Sequence, residues 1–149
     1  MSAREFSITV EINAPPDRVW DVMSDFKRWS EWTPSVTSIE PLDAGPLAVG
    51  IRFRIRQPKV PPAVWRLMAL EPGCSFTWKT GSPVVWAIAR HWVEAADYGS
   101  RATLSLQYGG LLGGVVARLT SGLNVRYLNF EAQGLKRRSE RPPTETSTQ

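Results

Sequence analysis

His91 is the one histidine of the chain and Cys74 the one cysteine. Imidazole is the side chain best suited to moving protons near neutral pH, which makes His91 the candidate general base. A base also needs a group that orients it. On its own strand Arg90 and Glu94 fall on the opposite parity and cannot serve. Tyr108 and Tyr127 add hydroxyls able to hydrogen-bond a ligand carbonyl or hydroxyl. Other chemistries fall away. A single cysteine forms no internal disulfide, and zinc needs several nitrogen or sulfur ligands, so no metal and no cofactor is expected. Asp25, Glu31 and Glu40 form no evident carboxylate pair of the glycosidase kind. No serine sits in a nucleophile motif. Cys74 follows Pro72-Gly73 at a turn and reads as a bystander. The run Gly109-Gly110-Leu111-Leu112-Gly113-Gly114 has the wrong spacing for a phosphate loop, and no Gly-Lys-Ser/Thr follows it. It reads as a flexible junction.

The chain has 149 residues, enough for one domain with one core. Seven of them are tryptophan, a high number for this length. Each indole can bury roughly 150–250 Å², so such a chain is either tightly packed or lined with aromatic surface for a guest. The net charge of +4 is modest. With no recognition motif, it points to solvated surface and to no nucleic-acid partner. The segment Met1–Phe6 lacks a signal peptide's apolar core, and no run approaches a membrane span. A soluble, cytoplasmic protein is expected.

The elements that must position these groups follow from periodicity. Phe6, Ile8, Val10 and Ile12 share one face of a half-buried strand. Ala14-Pro15-Pro16-Asp17 ends it, and a short helix follows with Val19, Trp20, Met23 and Phe26 at helical spacing. Trp29 and Trp32 belong to a second short helix, stopped before Pro34. Strands are expected over 35–41, 51–56, 63–71, 75–80, 84–95 and 101–108. The clearest alternation sets Ile51, Phe53 and Ile55 against Arg52, Arg54 and Arg56. From Leu112 to Arg138 a helical stripe of Val115/Val116, Leu119, Leu123, Tyr127, Phe130 and Leu135 predicts one long helix facing a sheet. Asn124 and Glu131 then fall on its polar side. Residues 1–138 form the domain, and the polar segment 139–149 is expected to be a disordered tail. Consecutive strands flanked by helices imply an α+β fold with an antiparallel sheet.

Four segments carry a family likeness: Ile12-Asn13-Ala14-Pro15-Pro16-Asp17-Arg18-Val19-Trp20-Asp21-Val22, Asp25–Trp32, Gly99–Leu104 and Arg126–Lys136. In this order the chain resembles the START-like superfamily of polyketide cyclases/dehydrases and lipid-transport proteins, also known as SRPBCC, over nearly all of residues 1–138. The resemblance implies a seven-stranded curved antiparallel sheet gripping a long C-terminal helix, with two short helices after strand 1. It also implies an apolar cavity between sheet and helix, and no particular reaction.

Parity then nominates the residues of that cavity: Phe53 and Ile55, Trp78, Leu106 and Tyr108 from the sheet, and Leu123, Tyr127 and Phe130 from the helix. Matching the turn at Gly99-Ser100-Arg101 to the family pattern turns His91 and Val93 inward. Trp86, Ile88 and Trp92 share the opposite parity and are the more apolar set, a conflict that a bulge within 86–92 would reconcile. The leading expectation is noncovalent binding of a small hydrophobic molecule, a lipid or a sterol-like or aromatic polyketide-like compound. One alternative is a cyclase/aromatase-type enzyme using the same cavity. The other is an interaction module or homodimer with a packed interior, docking through the Trp86/Ile88/Trp92 stripe.

Overall fold

The computed structural model describes residues 4–142. One seven-stranded antiparallel sheet, in the order β1-β7-β6-β5-β4-β3-β2, wraps around a C-terminal helix. Its strands are β1 (Glu5–Ile12), β2 (Ser38–Pro41), β3 (Arg52–Gln57), β4 (Val60–Glu71), β5 (Ser75–Gly81), β6 (Trp86–Ala96) and β7 (Gly99–Gly109). Helix α1 (Pro16–Ser24) follows β1, and Pro16 stands in its first turn, where a missing N–H costs nothing. A 3₁₀ helix, Phe26–Glu31, comes next. Its three-residue period places Phe26 and Trp29 on one buried face. The Trp29 indole Nε1 donates to Met23 O at 3.0 Å, which locks that ring over the sheet.

The sheet's curvature has local causes. The β3–β4 ladder shifts register between Ile55 and Gln57, and the β4–β5 ladder between Leu67 and Ala69. An extra residue on one strand bends and twists it. Strand β6 needs no such device. It pairs without interruption with β5 from Trp92 to Trp86 and with β7 from Ala96 to Trp86. The expected bulge within 86–92 is therefore absent, and Trp86, Ile88 and Trp92 face away from the core while His91 faces in.

The C-terminal helical region departs from expectation in three ways. It is broken at Thr120 into α2 (Gly113–Leu119) and α3 (Ser121–Glu140). Its inward face is Asn124, Leu128, Ala132 and Leu135. Leu119 is 79% exposed, and Val115 and Phe130 also lie open, so three members of the expected stripe do not face the sheet. The apolar period misleads here because two polar side chains turn inward toward partners of their own. The helix also runs two residues past Arg138, with Ser139 buried. Residues 143–149 of the expected tail lie outside the described residues.

Helix α3 is fastened at several points. At Gly134 an added Cβ would stand 1.9 Å from Trp32 O, so only glycine admits this approach between helix and 3₁₀ turn. At its C-terminus, Arg18 donates Nη2 to Arg138 O at 3.0 Å and to Arg141 O at 3.3 Å, and Nε to Ser139 O at 3.4 Å. A guanidinium is well placed against carbonyls that have no helical partner. No helix among the described residues is long and apolar enough to cross a membrane.

Candidate functional site

Between the concave sheet face and α3 lies a cavity of about 220 Å³. Three indoles, Trp29, Trp65 and Trp78, supply its aromatic wall. Val36, Ile39, Ile55, Leu106, Leu123 and Leu128 supply its aliphatic surface. The space exists because the sheet turns small residues inward along its middle. Ala63 of β4 and Ala87 and Ala89 of β6 all border it. Bulky Trp86 and Ile88 are carried on the other face. The contrast that made β6 look inverted in the sequence is thus the imprint of a void: where nothing must be filled, the inward residue is alanine.

Of the residues nominated from parity, Ile55, Trp78, Leu106 and Leu123 border the cavity, as do Tyr108, Tyr127 and the ring of His91. Phe53 does not. Its ring packs 5.0 Å from that of Phe26, inside the solid part of the core. Phe130 does not either, being 36% exposed on the outer side of α3 beside Tyr127.

His91 is buried, and its ring stacks on Phe76 with centroids 4.5 Å apart and planes within 7°. The Trp29 ring meets it edge-on at 5.4 Å. Both imidazole nitrogens are buried without a hydrogen-bond partner among the described residues. Nε2 stands 3.7 Å from Glu131 Oε1, within ion-pair reach yet beyond a hydrogen bond. The side chain of Glu131 is 13% exposed and borders the cavity. Its Oε2 accepts from Ser35 Oγ at 3.1 Å, and Ser35 Oγ lies 2.8 Å from Thr33 Oγ1. Gln57 Nε2 donates to Ser35 O at 3.1 Å, tying β3 to the same loop.

A second polar group lies on the far side of the cavity. Tyr108 Oη donates to Asn124 Oδ1 at 3.1 Å, and Asn124 Nδ2 donates to Thr120 Oγ1 at 3.0 Å. Tyr127 Oη donates to Pro58 O in the β3–β4 turn, which tethers α3 to that turn. Burial pushes the Tyr127 phenol above its ordinary pKa. Glu131 and Asn124 escaped the sequence reading because their helical phase placed them with the solvent-facing residues. Their signal was available only as two polar positions seven residues apart, which share a helix face.

Residues 3–140 match the family described as polyketide cyclase / dehydrase and lipid transport. The chain belongs to this family. No curated protein sequence matches it. Among solved structures, this polyketide cyclase/dehydrase and lipid-transport family member is similar to the hypothetical protein jhp0584 of Helicobacter pylori. That match has a TM-score of 0.74 at 13% identity, covering 91% of this chain and 86% of the other. It is similar also to the protein TTHA0849 of Thermus thermophilus, with a TM-score of 0.71 at 18% identity, covering 91% and 96%. A third likeness is to the di-domain aromatase/cyclase BexL of the BE-7585A biosynthetic pathway. There the TM-score is 0.68 at 19% identity, with 93% of this chain matching 50% of that one. At such identities the likeness is one of fold.

Proposed function

We propose that this protein holds a small, flat, hydrophobic molecule noncovalently between its sheet and α3. The observation that carries the reading is the cavity itself, with three indoles and an aliphatic surface around space that the side chains leave open. Apolar walls give affinity by removing ligand surface from water, and a few polar groups set orientation. A cavity of about 150 Å³ accommodates benzene. About 220 Å³ therefore suits one or two rings, and an aromatic ligand fits better than a sterol-like one.

Native mass spectrometry of the protein purified under mild conditions, set against its denatured mass, tests this directly. A retained mass that disappears on denaturation supports the reading. A protein still empty after exposure to a hydrophobic metabolite extract counts against it.

One observation favours a second reading, an enzyme of the cyclase/aromatase type. Glu131 meets the cavity with the hydrogen bond from Ser35 holding its Oε2 and His91 Nε2 at 3.7 Å from its Oε1, the pairing of a proton acceptor with an orienting group on which general-base catalysis draws. Turnover of an identified ligand that is lost in Glu131→Gln even at saturating ligand would select this reading over simple carriage. The homodimer alternative has less support. Trp86, Ile88 and Trp92 are each half-buried, and Lys79 Nζ sits 5.0 Å from the centre of the Trp86 ring.

A further inference from the structure

Most of the hydroxyls around the cavity have already placed their protons on protein acceptors. A hydroxyl carries one proton and two lone pairs. Thr80 Oγ1 has spent its proton on Val64 O at 2.7 Å, and Thr120 Oγ1 on Val116 O at 2.7 Å. Tyr127 has spent its proton on Pro58 O. The amide of Asn124 is fixed in orientation by this accounting. Its Nδ2 must donate to Thr120 Oγ1, whose proton is already placed, so its Oδ1 receives the proton of Tyr108. Four of the five hydroxyls on the lining residues, those of Thr80, Tyr108, Thr120 and Tyr127, thus have lone pairs left to offer and no proton, while Ser105 and the second N–H of Gln57 and of Asn124 remain as neutral donors.

Glu131 adds to the acceptors. Its carboxylate can accept several hydrogen bonds. Oε2 takes one from Ser35, while Oε1 has only His91 Nε2 facing it among the described residues, at 3.7 Å. No lysine or arginine among the described residues borders the cavity. An anionic ligand would enter a low-dielectric site holding a carboxylate and no cation, at a large desolvation cost.

We infer that the cavity selects a hydrogen-bond donor and rejects anions: its ligand is a small aromatic molecule bearing a hydroxyl or amino N–H, received by Glu131 Oε1. This rests on the cavity reading above and narrows it. Fatty acids, other carboxylates and phosphate esters fall outside the class. His91 is not the contact atom, because both its nitrogens are buried.

Three probes of one shape separate the possibilities: naphthalene, naphthol and naphthoate, titrated by quenching of the wall tryptophans. Naphthol is expected to bind at least about tenfold more tightly than naphthalene, the gain of one hydrogen bond to a charged acceptor, and naphthoate more weakly than naphthalene. In Glu131→Gln, which keeps the shape and replaces an acceptor with an N–H donor, the advantage of naphthol shrinks to about threefold or less and naphthoate recovers. Naphthalene reports on the wall alone, so an unchanged naphthalene affinity shows that the variant is folded. If naphthoate binds more tightly than naphthol, or if Glu131→Gln leaves the three affinities in their original order and spacing, the donor inference is overturned while the cavity reading stands. If none of the three quenches fluorescence, the cavity reading fails and takes the inference with it.

Discussion

Replacing Ala89 with leucine tests whether the interior is truly open. Ala89 lies on β6 between Trp78 of β5 and Leu106 of β7, is 8% exposed and borders the cavity. Leucine adds three carbons. In an open cavity these lose contact with water without displacing a neighbour, at about 0.8 kcal/mol per carbon, or about 2.4 kcal/mol. Fixing the longer side chain costs about 0.5–1 kcal/mol. The net expectation is a ligand-free protein stabilised by about 1.5 kcal/mol. For a chain of this size that raises the melting temperature by about 3–6 °C. Urea unfolding should show a higher midpoint at unchanged slope. Affinity for naphthalene should fall in the same variant, since the leucine occupies its space. A packed interior gives the opposite sign, because overpacking costs about 1–3 kcal/mol. A lowered melting temperature for Ala89→Leu would refute the open-cavity reasoning.

Gly134→Ala forces its Cβ against Trp32 O and should destabilise by about 2–3 kcal/mol, read as a lower urea midpoint. Arg18→Met keeps the aliphatic stem and removes three hydrogen bonds to the end of α3. It should cost about 1–2 kcal/mol and speed amide exchange in the last turn of that helix before any other element. Asp43 is held down to about 2, first by the hydrogen bond from the Arg52 side chain and then by that from the Arg52 backbone N–H. Because the folded value lies below the unfolded one, the contribution of this pair is present above about pH 4 and fades as the pH falls toward about 2. An NMR titration of the Asp43 carboxyl should therefore show a midpoint near 2 in the native protein and a higher one in Arg52→Gln.

Much of the fold could be read in the sequence, because the sheet's pattern has period two and its punctuation is clear. Phe53 and Ile55 against Arg52, Arg54 and Arg56 left one parity for β3, and the structure keeps it. The long helix was harder. Its strongest apolar positions include Leu119, which the break at Thr120 turns to solvent, and Phe130, on the outer side. Two of its cavity-facing positions are polar. Asn124 and Glu131 face inward because Tyr108, Thr120 and Ser35 meet them there, and no local pattern announces partners that arrive from other elements. Of the seven nominated residues that border the cavity, strand alternation pointed to Ile55, Trp78, Leu106 and Tyr108, the helical stripe to Leu123 and Tyr127, and the family resemblance to His91. Trp29, Trp65 and the alanines of β6 were passed over because a cavity is marked by what is missing from a face, while pattern reading weighs what is there.

The pairing of β1 with β7 has a consequence for how the molecule is made. Of the sheet's strands, β1 is the first to leave the ribosome, and its one strand partner, β7, is the last. Helix α3, which packs on β1 and α1, comes later still. While the sheet is being translated, the nascent chain carries Phe6, Ile8, Val10 and Ile12 on a strand with no neighbour and no cover, the state in which chaperones engage a polypeptide. Contacts between residues so distant in sequence form slowly. The cavity therefore has no far wall until α3 emerges, so the chamber is the last part of this fold to take shape.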